Sequence, residues 1–140
     1  MGWALPGAIG AAYAKPDTQV LAVMGDGSFL MNVQEIETAV RYGLHLVILV
    51  WVDDSYGLIK WKMDMEIGRH SGVDFTNHDF PALAESFGAH GVEITAADQL
   101  LPALREAIEA EDGVHVIACP VDYSENMRLI AKLGDTQIDL

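Results

Sequence analysis

Residues 44–52 are apolar at every position except His45 and rich in Val and Leu. A strand without polar alternation has both faces covered, which is the pattern of a parallel sheet packed between helices. The neighbouring segments read alternately as helix and strand. Together they predict an α/β fold: one domain, a mostly parallel sheet flanked by helices. With 140 residues, 51% of them apolar, the chain is large enough for a single domain with its own core.

Residues 5–15 read as a helix rich in small residues, with Gly7, Ala8, Gly10, Ala11 and Ala12 open either to an interface or to ordinary helix packing. Pro16-Asp17 ends it, residues 19–24 read as a buried strand, and residues 25–28 as a turn. Asn32, with Glu35 three positions on, predicts a capping box opening a helix that Gly43 closes. A turn at 53–57 is followed by a short helix and loop over 58–71. Further on, the pattern predicts a helix over 81–87 and a strand over 92–94. A second capping box at Thr95 and Asp98 opens a helix with Leu101, Leu104 and Ile108 on one face. A buried strand over 114–119 and a last helix over 126–133 complete the chain.

Charge narrows the partners. The formal charge of −13 repels nucleic acid and anionic membranes alike. It would also repel a diphosphate unless a cation intervened, so a phosphate site here is expected to be metal-mediated. Cys119 is the only cysteine, which rules out an internal disulfide and is the usage of a cytoplasmic protein. The longest apolar run, 46–52, is far shorter than the roughly 20 residues that span a bilayer.

Ligands of open parallel sheets sit beyond the carboxyl ends of the strands. Asp26 follows one predicted strand and Asp53 follows another. If the strands are near neighbours, both carboxylates enter one crevice and can hold a hard cation such as Mg²⁺, whose other positions go to phosphate and water. Gly25 and Gly27 let the backbone approach a ligand, and the amides of Gly27 and Ser28 can face phosphate oxygens. Taken alone, Gly25-Asp26-Gly27 reads as a plain turn, and paired strand-end aspartates also serve phosphoryl-transfer and receiver domains.

The longer context resembles the thiamine-diphosphate enzymes. Gly25-Asp26-Gly27-Ser28, a helix, a buried strand and then Asp53-Asp54-Ser55-Tyr56 are similar to that family's diphosphate motif, with Asp53 standing 27 positions after Asp26. The intervening residues 33–41 are also similar. The resemblance implies Asp26, Asp53 and the backbone carbonyl of Ser55 as Mg²⁺ ligands. Gly25, Gly27, Ser28, Tyr56 and Gly57 would border the cofactor. Met1 would be the bulky residue that bends the cofactor, with Gly2 beside it. Val52 and Asp53 stand where many members have two asparagines, a departure similar to catabolic acetolactate synthases, as is Trp51.

Residues 73–75, 84–89 and 120–124 likewise resemble the C-terminal domain of acetolactate synthases, so the resemblance covers essentially the whole chain. It implies that residues 1–140 are the C-terminal diphosphate- and Mg²⁺-binding domain, with the pyrimidine-binding and central domains lying elsewhere. A glutamate on the pyrimidine-binding domain of another subunit would activate the cofactor, so the implied assembly is an oligomer of like or unlike chains. The implied chemistry decarboxylates a 2-oxo acid, pyruvate by family, and joins the two-carbon unit to a second 2-oxo acid. In the resembling enzymes the segment after Tyr56 borders the substrate, which makes Trp61 and Lys62 candidates; a solvated role for Lys60 and Lys62 stays open. Alternatives are another thiamine-diphosphate decarboxylase or a non-catalytic module that binds diphosphate or mediates assembly. On this reading Asp26→Ala abolishes Mg²⁺-dependent diphosphate binding and leaves the fold intact.

Overall fold

A computed structural model describes residues 1–110, 112–126 and 128. The elements run α1 (Ala4–Ala14), β1 (Leu21–Gly25), α2 (Asp26–Leu30), α3 (Glu35–Arg41), β2 (Leu46–Val52), α4 (Gly57–Ile67), α5 (Phe80–Ser86), β3 (His90–Glu93), α6 (Leu100–Glu109) and β4 (Val114–Pro120). All four strands are parallel, in the order β1-β2-β4-β3. This is the predicted α/β class. The predicted helix over 126–133 lies, beyond Asn126 and Arg128, outside the described residues. No described helix is long and apolar enough to cross a membrane.

The apolar run of β2 is explained by two cores. Leu46, Ile48 and Val50 face one core with Leu5, Ala8 and Ala12 of α1, Phe29 of α2, Ile36 and Ala39 of α3, and Phe80 and Ala84 of α5. Val47 and Leu49, on the opposite pleat, face a second core under α6 with Ile117, Cys119 and Ala107. Helix α4 has no buried residue.

Four local expectations are corrected. Residues 25–28 are not a plain turn, because Asp26 is already the first residue of α2 and Gly25 is its cap. Asn32 does not cap a helix. Its side-chain amide donates to the Gly2 carbonyl, Glu35 accepts the Thr38 hydroxyl at 3.0 Å instead of reaching back, and α3 starts only at Glu35. The box at Thr95 uses Gln99 rather than Asp98, since the Gln99 side-chain oxygen accepts from the Thr95 and Ala96 amides at 2.8 and 3.2 Å. The following helix consequently turns Leu100, Ala103, Leu104 and Ala107 to the core, and leaves Leu101 and Ile108 exposed.

β3 starts at His90 rather than Val92 because main-chain pairing with β4 defines it, not its apolar pattern. Gly91 is required there. A Cβ on it would stand 2.8 Å from the Pro81 carbonyl carbon and closer still to that residue's Cα, all backbone that cannot swing away. Gly91→Ala is expected to cost about 3 kcal/mol by forcing α5 off β3. Thermal unfolding reads this as a clearly lower Tm, and an unchanged Tm would show that α5 yields freely.

A candidate diphosphate and cation site

β1 and β2 are neighbours with Gly25 opposite Trp51, so Asp26 and Asp53 leave the sheet at one end. Asp26 opens α2, and Phe29 pins that short helix: it is fully buried and meets Phe80 edge-on at 5.2 Å. The Asp26 side chain is 1% exposed. Its Oδ2 accepts from the amides of Asp53 (3.1 Å) and Asp54 (2.9 Å) and from Asn77 Nδ2 (2.6 Å). Its Oδ1 accepts, among the described residues, only from the Gly27 amide, at 2.7 Å. A carboxylate oxygen carries two lone pairs, so Oδ2 is saturated and Oδ1 keeps capacity for a cation.

The loop after β2 is folded round this carboxylate. Asp54 has φ +53, the one non-glycine residue with positive φ among the described residues, and Asp tolerates that conformation better than most. Tyr56 N donates to the Val73 carbonyl at 2.8 Å and Phe75 N to the Asp54 carbonyl at 3.0 Å, which anchors the loop from outside. Burial pushes the Asp53 carboxyl above its ordinary value, and the nearby Asp26 charge adds to this against the opposing Ser55 hydroxyl bond of 3.0 Å. Two carboxylates brought to one cavity wall are hard oxygen donors of the kind Mg²⁺ takes. Among the described residues no group of three or more His, Cys, Asp or Glu side chains could hold a metal unaided. A cation between Asp26 and Asp53 would therefore draw further oxygens from its ligand.

The glycines have separate reasons. A Cβ on Gly27 would fall 2.7 Å from the Tyr56 ring, which lies against the start of α2 and tilts on Phe75 at 5.0 Å. A Cβ on Gly57 would collide with Asp53 Oδ2. Among the described residues, none beyond its two chain neighbours comes within 4 Å of where a Cβ on Gly25 would stand, so packing does not demand glycine there. An unobstructed backbone at a helix N-terminus is what a diphosphate needs. Ser28 Oγ accepts from the Gly2 amide at 2.8 Å while Asn32 holds the Gly2 carbonyl, which fixes the N-terminal segment beside the site.

These residues surround one cavity of about 850 Å³. Met1, Gly25, Asp26, Gly27 and Ser28 line one side, and Asp53, Ser55, Tyr56, Gly57 and Trp61 another. Gly2 is buried behind that wall. Lys62 is exposed and lies off the lining; Lys60 lines it instead, tied to Asp74 at 2.6 Å. Sequence reasoning missed four contributors, three beyond β4 and one in the loop before α5. Val121, Tyr123 and Ser124 close the far side beyond the carboxyl end of β4, where the rule that located Asp26 and Asp53 applies equally. Burial raises the Tyr123 phenol, with the Asp53 and Asp26 charges adding to it. Asn77 carries no sequence signal, standing 51 residues from the carboxylate it grips.

The family model of the thiamine pyrophosphate (thiamine diphosphate) enzyme C-terminal TPP binding domain matches residues 1–119. The chain belongs to that family. Within it, the chain is a cofactor-binding domain of the acetolactate synthase-like kind. An acetolactate synthase of Bacillus subtilis (strain 168) is 45% identical over 129 residues, 92% of this chain and 22% of the relative. The catabolic acetolactate synthase of Raoultella terrigena is 43% identical over 138 residues, 99% of this chain and 24% of the relative. The acetolactate synthase isozyme 2 large subunit of Escherichia coli (strain K12) is 39% identical over 129 residues, 91% and 23%. The chain thus spans less than a quarter of the length of these curated relatives.

Proposed function

We infer that this chain is the Mg²⁺- and diphosphate-binding part of an enzyme that decarboxylates a 2-oxo acid, pyruvate first, and joins the two-carbon unit to a second 2-oxo acid. The observation that carries this reading is the convergence of Asp26 and Asp53 from neighbouring strand ends onto a cavity bordered by Gly25, Gly27 and Ser28. Thiamine diphosphate, when bound, supplies the carbanion-stabilising ring that such decarboxylation needs.

The protein's part is to bind and orient. Asp26 Oδ1, the Asp53 carboxylate and the Ser55 carbonyl would hold Mg²⁺, and the Ser28 amide would meet phosphate oxygens; the Gly27 amide, expected to do the same, is taken by Asp26 Oδ1. Tyr56 and Gly57 would border the diphosphate end, Met1 with Gly2 behind it the bend of the cofactor, and Trp61 the substrate space. Lys62 has no place in this arrangement. The glutamate that activates the other end of the cofactor would come from a pyrimidine-binding domain on a partner subunit, so the working unit is an oligomer.

Titration calorimetry tests the reading. Thiamine diphosphate is expected to bind when Mg²⁺ is present and to lose affinity at least tenfold in EDTA. Acetolactate should form from pyruvate only when the glutamate-bearing domain is added. Binding indifferent to EDTA would refute the metal centre, and turnover by this chain alone would refute the division of labour.

A further inference from the structure

We propose that Asn77 is the positioning residue of the Asp26 carboxylate. Its amide fixes which oxygen of Asp26 is spent on the backbone and which stays available to a cation; this rests on Asp26 being a cation ligand.

Asn77 Nδ2 has two hydrogens and uses both on carboxylates, reaching Asp26 Oδ2 at 2.6 Å and Asp54 Oδ1 at 2.8 Å. The Asp54 amide donates to the same Asp26 Oδ2 at 2.9 Å. Asn77, Asp54 and Asp26 therefore form a closed triangle of three hydrogen bonds, each to an ionised acceptor and strengthened for that reason. The orientation of the amide is dictated by charge. Turned over, it would set its carbonyl oxygen against two carboxylates. The observed direction is kept although it leaves Asn77 Oδ1 buried with no hydrogen-bond partner. A buried oxygen without a partner is costly, so the two bonds from Nδ2 to carboxylates must outweigh it.

The consequence is geometric. A free carboxylate can rotate and present either oxygen. With three donors converging on Oδ2 and one on Oδ1, Asp26 has a single orientation before any ligand arrives. The same triangle holds Asp54 at positive φ, and so holds the turn that carries Asp53 and Ser55. The loop bearing Asn77 is anchored where it enters α5: the Asp79 carboxylate accepts from Ala82 N at 2.9 Å, and Phe80 packs edge-on against Phe29 of the helix that carries Asp26.

Two measurements on the 140-residue chain test this. In the metal-free chain, Asn77→Ala should speed hydrogen exchange of the Asp53 and Asp54 amides at least tenfold, with amides of β2 and β4 unchanged. With thiamine diphosphate present, the Kd for Mn²⁺, read by electron paramagnetic resonance, should weaken at least tenfold. Asn77→Ser, which keeps one shorter donor, should fall between and guards against a poorly folded alanine variant. Equal acceleration across the whole sheet would mean a merely structural role and overturn the proposal, as would Mn²⁺ affinity within twofold of the unsubstituted chain. If the unsubstituted chain with thiamine diphosphate binds no Mn²⁺, the cation reading of Asp26 falls and the proposal with it. Local exchange would then still report whether Asn77 holds the carboxylate.

Discussion

Asp26→Ala is expected to destroy the cation site and to weaken the fold with it. Asp26 is buried and receives four donors, from Gly27, Asp53, Asp54 and Asn77. Truncation strands all four, and at roughly 1–3 kcal/mol for each buried donor left unsatisfied, a loss of about 3 kcal/mol or more is expected even with water admitted. The sequence-based expectation was an intact fold; the four donors held by Asp26 predict a weakened one. Asp26→Asn separates the two effects. Its carbonyl oxygen can take the place of the saturated Oδ2, while its NH₂ replaces the Oδ1 that would face the cation and leaves the Gly27 amide as the one donor without its acceptor. Urea denaturation should therefore show a smaller loss for Asn, with one donor stranded, than for Ala, with four, and calorimetry should show Mg²⁺-dependent binding lost in both. Retained binding in Asp26→Asn would sink the assignment of Oδ1.

The second large effect is expected far from any ligand. Phe29 is fully buried and packs edge-on against Phe80, and it is the residue that seats the five-residue helix α2. Phe29→Ala should cost about 3–5 kcal/mol, a large part of the stability of an ordinary domain. In the folded fraction α2 loses its seat, so thiamine diphosphate affinity should fall although Phe29 does not line the cavity. A urea midpoint within error of the unsubstituted chain would show that α2 is held by its hydrogen bonds alone.

The comparison of sequence with structure separates along a physical line. β2 was legible because burial on both faces removes every polar alternation, and no tertiary detail can disguise that. The pairing of Asp26 with Asp53 was legible because strand ends of a parallel sheet share one edge. Where polar side chains have competing partners, the sequence misled. Asn32 and Glu35 have the spacing of a capping box, yet Gly2 and Thr38 take their side chains. Gln99 wins over Asp98 for the same reason. Asn77 was invisible, since a contact spanning 51 residues leaves no periodicity and no motif. Lys62 fell outside the cavity and Lys60 inside it because α4 is a regular helix from Gly57, a register that the mixed composition of 58–71 does not reveal.

That helix has a further consequence. α4 supplies Leu58, Ile59, Lys60, Trp61 and Asp64 to the cavity but buries none of its residues in either core. It lies between Gly57 and the left-handed Gly68. Substitutions at exposed positions of this kind usually change stability by little, about 0.5 kcal/mol. The α4 residues that line the cavity are thus nearly separate from those that keep the domain folded. Evolution can rewrite this helix as a cassette, reshaping one wall of the cavity with little change in the folding free energy that Phe29, Ile36 and the β2 run secure.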